Sequence, residues 1–115
     1  MVIQMKQEIS ILKPAEVLSL TTWSTSGLRR QVLEGLFPPA LNLGARATGY
    51  IAEEVQAVLT ARSIGMNDEE LKTIVSRLVN YRKARANKLL EKIAAWGEDH
   101  EKKWSHPERQ QHLHQ

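Results

Sequence analysis

Four side chains in the first half of the sequence have the type and spacing to grip a polyanion: Ser26, Arg29, Arg30 and Arg46. Three of them lie in Ser24-Thr25-Ser26-Gly27-Leu28-Arg29-Arg30-Gln31-Val32-Leu33-Glu34-Gly35-Leu36-Phe37-Pro38. At about 100° per residue, Ser26, Gly27, Arg30 and Glu34 fall opposite the apolar pair Leu28 and Val32, and Arg29 sits on the flank. A short helix with paired arginines turned outward, just after a turn, has the form of a recognition helix in a DNA major groove. A surface helix with a solvated basic face has the same residues, so this stretch alone leaves both readings open.

The stretch has a defined start and a hard stop. Ser24 is an N-cap residue by type, since its hydroxyl can accept from an orphan backbone N–H of the first turn. Gly35 supplies the usual residue after the last turn, and Pro38 blocks continuation. Before it, Glu8-Ile9-Ser10-Ile11-Leu12 alternates polar and apolar, as a short strand does. Pro14 then opens a helix through Ser19, where its missing N–H does no harm. Leu20-Thr21-Thr22-Trp23 reads as the turn between the two helices. Trp23 is expected to plug the core and hold the helices together, not to stack on a ligand.

After Pro38-Pro39 the period changes. Ala40–Leu43 and Ala47–Tyr50 read as extended runs around Gly44-Ala45-Arg46, which predicts a β-hairpin with Arg46 at its tip. A basic residue there can reach a phosphate or a narrow minor groove. Ile51–Arg62 follows as a helix, with Glu53 and Glu54 in its first turn and Arg62 in its last, an order that suits the helix dipole. The fold class expected is therefore mainly α with a small β-hairpin. Residues 8–62 form a winged helix-turn-helix domain, followed by a C-terminal helical extension.

Several segments also resemble a known family. They are Leu12-Lys13-Pro14-Ala15-Glu16-Val17, Trp23-Ser24-Thr25-Ser26, Glu34-Gly35-Leu36-Phe37-Pro38, Leu43-Gly44-Ala45-Arg46-Ala47-Thr48-Gly49-Tyr50 and Glu54-Val55. In this order and spacing they look like the AlpA family of phage and prophage regulators, which are similar to MerR-like excisionase proteins. The resemblance runs over roughly residues 9–62. It implies a winged helix-turn-helix that binds double-stranded DNA at a mobile element and acts in transcription or as an excisionase-type recombination directionality factor. Ser26, Arg30 and Arg46 match the family pattern. Thr25 stands where the family often has arginine, Arg29 where it often has an aromatic, Leu36 where it often has a basic residue, and Tyr50 where it usually has tryptophan. The candidate DNA-contact residues are thus Thr25, Ser26, Arg29, Arg30 and Arg46.

In the second half, Asn67 followed three residues later by Glu70 forms a variant capping box. Residues 67–96 contain no Gly or Pro. Leu71, Ile74, Val75 and Leu78 make an apolar stripe, and Leu89, Ile93 and Trp96 resume one. Tyr81–Lys88 between them is polar and basic, so either one long helix or two helices breaking near Asn87 fits. Such a stripe should meet a partner: the chain's own first domain, or a second copy in a homodimer through residues 67–96. Arg77 to Lys92 holds six Lys/Arg against the single Glu91, which can lie along phosphates or simply face solvent. Residues 97–115 read as a flexible polar tail. Within it, Trp104-Ser105-His106-Pro107 resembles the start of a streptavidin-binding affinity tag, but the residues that follow do not match.

Of 115 residues, 25% are charged and 42% hydrophobic, the balance of a globular chain with a modest core. The net charge of +3 modestly favours a polyanionic partner. With no cysteine there is no disulfide, thiol nucleophile or cysteine-ligated zinc. His100, His106, His112 and His114 lack a metal-ligand framework, so no metal site is expected. No phosphate-cradling glycine loop, nucleophile elbow, HExxH helix or catalytic carboxylate pair is present. A non-enzyme without cofactor or small-molecule substrate is expected. No apolar run approaches a membrane span and no signal peptide is recognisable, so a cytoplasmic, nucleoid-associated location is expected. The alternative function is a helical protein–protein interaction module or adaptor without specific DNA binding.

Overall fold

The computed structural model describes residues 9–103. The order of elements is β1 (Ile11–Leu12), α1 (Pro14–Thr21), α2 (Thr25–Leu33), β2 (Leu41–Asn42), β3 (Thr48–Ile51), α3 (Ala52–Ser63) and α4 (Asp68–Lys103). This is a mainly helical, winged helix-turn-helix-like fold with a small antiparallel sheet and a long C-terminal helix, as expected. The chain divides into two compact units after Asn80. The expected frayed start at residues 1–7, and the tail from Trp104 onward with His106, His112 and His114, lie outside the described residues.

Local chemistry sets the helix boundaries. Pro14 opens α1, and the Glu16 carboxylate reaches back to accept from the Lys13 N–H at 3.1 Å. The helix runs on to Thr21, two residues beyond the sequence reading, and closes at Thr22 in the left-handed region with φ 63°. A β-branched residue is strained in that region. It is held by the Thr22 N–H bond to the Leu18 carbonyl at 2.8 Å, and the chain then turns into Trp23 and Ser24. After α2, Gly35 takes φ 77°, while Gly35 N–H donates to the Val32 carbonyl and Leu36 N–H to the Gln31 carbonyl. Gly35 and Leu36 thus satisfy carbonyls that the helix end would orphan.

The sheet has the order β1-β3-β2, with Ile11 opposite Ile51, Leu12 opposite Tyr50, and Leu41 opposite Gly49. It therefore holds three strands, the expected hairpin plus β1. Gly49 is sterically required there. A Cβ at that position would collide with Ile11 Cγ2 and stand 3.0 Å from Leu43 Cδ1.

The core of the first unit gathers Val17, Leu28, Phe37, Tyr50, Val55, Val58 and Val75. Phe37 lies at its centre, edge-on to Trp23 with ring centroids 5.5 Å apart and to Tyr50 at 5.8 Å. Trp23 is half-buried against this core, in the plugging role expected of it. A second cluster joins Leu36, Ala61 and Leu71, with Met66 and Ile74 packed on it.

Of the two partners expected for the first half of the α4 stripe, these clusters show the chain's own first domain. Leu71 and Val75 are buried on it, and Ile74 and Leu78 pack there partly buried. The physical reason is the short 64–67 connection after α3, which lays the first turns of α4 back on the domain core. Asn67 caps this helix as expected, with its Oδ1 accepting from Glu70 N–H at 2.9 Å and Glu70 Oε1 accepting from Asn67 N–H at 3.1 Å. Beyond Asn80, α4 is unbroken at Asn87 and continues through Trp96 and Gly97 to Lys103. Its helical end therefore lies later than the sequence suggests. Leu89, Leu90, Ile93 and Trp96 are exposed along it.

Candidate nucleic-acid interface

The N-cap of α2 forms as its residue types dictate. Ser24 Oγ accepts from Gly27 N–H at 3.0 Å and lies 3.2 Å from Ser26 Oγ. Leu28 is buried and Val32 packs beside it, which turns the opposite side of α2 to solvent. Thr25, Ser26, Arg29 and Arg30 are all exposed. Among the described residues, Ser26 is the one of the four whose side chain has a hydrogen-bond partner, the capping hydroxyl of Ser24.

Thr25 and Arg29 line a groove on one flank of α2, shared with Leu18 of α1, Ala40, and Thr48 and Tyr50 of β3. Thr48 also borders the surface around the hairpin loop, together with Gly44, Ala45 and Arg46. The structure thus brings the flank of α2 beside the base of the wing. Arg46 is exposed in the 43–47 loop, whose ends are tied by the Leu43 N–H bond to the Ala47 carbonyl at 2.8 Å. Asn42 Oδ1 accepts from Gly44 N–H at 3.1 Å and fixes the turn into that loop. A short, tied loop holds a guanidinium with less entropy to lose than a long one does.

The other flank of α2 holds a contact that local sequence patterns do not announce. Arg62 Nη2, from the last turn of α3, donates to Gln31 Oε1 at 2.6 Å. The Arg62 guanidinium carbon also sits 5.4 Å from the Trp23 ring centroid, within cation–π range. Read from sequence, Arg62 only complements the dipole of α3. Its tertiary partner lies 31 positions away, beyond the reach of any helical spacing rule. Glu54, in the first turn of α3, is likewise more buried than its dipole-complementing role implies, at 5% exposure.

Nothing in this arrangement gathers metal-ligating groups: among the described residues no cluster of His, Asp and Glu could hold an ion. No helix among them is long and apolar enough to cross a membrane. A capped helix with an exposed polar and basic side, beside a hairpin bearing an arginine, is consistent with a winged helix-turn-helix-like fold.

Comparison with known families makes this specific. Residues 10–63, just under half of the chain, match the family model described as prophage CP4-57 regulatory protein (AlpA), so this segment is similar to the AlpA family of prophage regulators. No curated protein and no solved structure matches the chain.

Proposed function

We propose that this protein is a sequence-specific double-stranded DNA-binding regulator of a prophage or related mobile element, acting in transcription or as an excisionase-type directionality factor. The observation that carries the reading is the division of α2 into two sides. Leu28 and Val32 anchor it, while Ser26 and Arg30 face solvent beside a wing that presents Arg46. In this reading Ser26 and Arg30 enter the major groove, and Thr25 and Arg29 reach its edge from the flank. Arg46 contacts a phosphate or the minor groove. No residue is assigned a catalytic role and no cofactor is needed. The site of action is the cytoplasm, at the nucleoid.

Fluorescence anisotropy against DNA flanking the protein's own gene, with random DNA as competitor, tests the proposal. Preference for the flanking DNA at moderate salt is expected. An equal affinity for both would remove sequence specificity from the reading. Undiminished binding by an Arg30→Ala, Arg46→Ala double variant would remove these two residues from the interface, and a non-DNA partner captured through α4 would then become the better account.

A further inference from the structure

Arg62 touches the last turn of α2 and the segment that leads into the helix. Gln31, which accepts its hydrogen bond, is in the last turn of α2, and Trp23, on which it stacks, immediately precedes the N-cap Ser24. Along its length α2 packs on the core through a narrow apolar edge, with Leu28 buried and Val32 partly so, while Trp23 before it and Phe37 after it anchor the flanking chain. A short helix fixed along one edge resists a roll about its axis mainly through its flanks and the chain at its ends. At about 100° per residue Gln31 lies on the flank of that edge away from Arg29, so a bond there resists rolling directly. The lever arm makes this matter. Side chains extend about 5–6 Å from a helix axis, so a roll of roughly 20° carries the outer part of a reading side chain by ~2 Å. That displacement exceeds the tolerance of a hydrogen bond to a base edge.

The contact is a poor investment if stability alone is considered. Arg62 Nε is buried and has no hydrogen-bond partner among the described residues. A buried donor left unmade costs free energy that an aliphatic chain of similar length would not. An unbranched methionine would cover the same apolar surface without an orphaned donor. What methionine cannot do is donate to Gln31.

From these observations we propose that Arg62 is a positioning residue for DNA recognition: its guanidinium, clamped between Gln31 and Trp23, sets the roll of α2 and hence where Arg30 and Ser26 meet the bases. This rests on the DNA-binding reading above. It adds that specificity depends on a residue that itself faces the protein interior rather than the nucleic acid.

The experiment compares wild type, Arg62→Met, Arg62→Lys and Gln31→Ala by anisotropy on flanking and on random DNA, with thermal unfolding and amide chemical shifts recorded for each. Arg62→Met is expected to lose at least tenfold in the ratio of specific to random affinity. Its affinity for random DNA should change less than twofold and its melting temperature little. Arg62→Lys, which can still donate to Gln31, should recover part of the ratio. In Arg62→Met the amide shifts of Ser26 to Arg30 should move, while those of Val55 and Val58 stay in place. Unmoved α2 shifts, an unchanged ratio, or equal losses on both DNAs would each overturn the proposal. If Arg62→Met unfolds, Gln31→Ala reads the same clamp from its other side, and the ratio must then fall in that variant. A wild type without preference for flanking DNA would instead overturn the DNA reading itself, a result the chemical shifts keep distinct from a failure of the clamp.

Discussion

Arg30 and Arg46 are both exposed arginines, yet their supports imply different contributions. Arg30 projects from a rigid, capped helix, where a fixed fork can pair with two acceptors on one base. Arg46 projects from a loop and suits a phosphate, which any sequence offers. Arg30→Ala is therefore expected to cost about 1–3 kcal/mol of binding on the specific site and much less on random DNA. Arg46→Ala should weaken binding to every sequence and lower the slope of log affinity against log salt by about 1. Salt titrations of the two single variants separate these roles, and identical profiles would refute the division. Tyr50 offers a residue-scale test that needs no DNA. Burial raises its phenol above the ordinary value of 10.0. Below that value the ring is neutral in both folded and unfolded chains, so its stabilisation is complete. As pH rises past about 10 the unfolded chain ionises first and stability is lost. The melting temperature of wild type should fall faster above about pH 10 than that of Tyr50→Phe, and parallel curves would contradict this. Neither Arg62 nor the depth of Glu54 was legible at this scale. Local rules assign such charges to the nearest helix end, whereas Arg62 is used by a helix distant in sequence.

At the scale of elements, most boundaries were legible because they are written in short-range chemistry. Ser24, Gly35, Pro14 and the Asn67–Glu70 pair each satisfy or spare backbone groups within four residues, so their types alone announce them. The hairpin was legible for the same reason, while the third strand was legible only in part. The run Glu8-Ile9-Ser10-Ile11-Leu12 alternates in sequence as a strand does, but pairing with β3 depends on Gly49, whose bare Cα lets Ile11 pass over it. That close approach makes Gly49 the residue on which the wing's attachment turns. Gly49→Ala forces Ile11 and Leu43 aside in a packed sheet, an overpacking that typically costs about 1–3 kcal/mol. For a domain of this size the loss appears as a drop of roughly 4–8 °C in melting temperature per kcal/mol. The additional Ile11→Ala change should restore part of it by making room. A Gly49→Ala variant as stable as wild type would show that β1 does not press on this site in solution.

For the molecule as a whole, the apolar stripe of α4 states that it must be covered but not by what. Periodicity reports which side chains share a face and carries no information about the partner of that face. The structure divides the stripe. Leu71 is 1% exposed and Val75 6%, both packed within the first unit, whereas Leu89 and Ile93 are more than half exposed. The two halves should therefore respond oppositely to mutation. Leu71→Ala removes buried methyl groups and leaves a cavity, a loss of about 2–5 kcal/mol that does not depend on protein concentration. Leu89→Lys with Ile93→Lys changes side chains that the fold does not bury, and should leave the melting temperature within about a degree or two, as surface substitutions do. Sedimentation at tens of micromolar adds the second axis. Any self-association seen there is expected to survive Leu71→Ala, as far as that variant remains folded, and to disappear in the Leu89→Lys, Ile93→Lys variant. The opposite pattern, in which Leu71→Ala abolishes association without lowering the melting temperature, would place Leu71 at an interface between copies and contradict its burial within one chain.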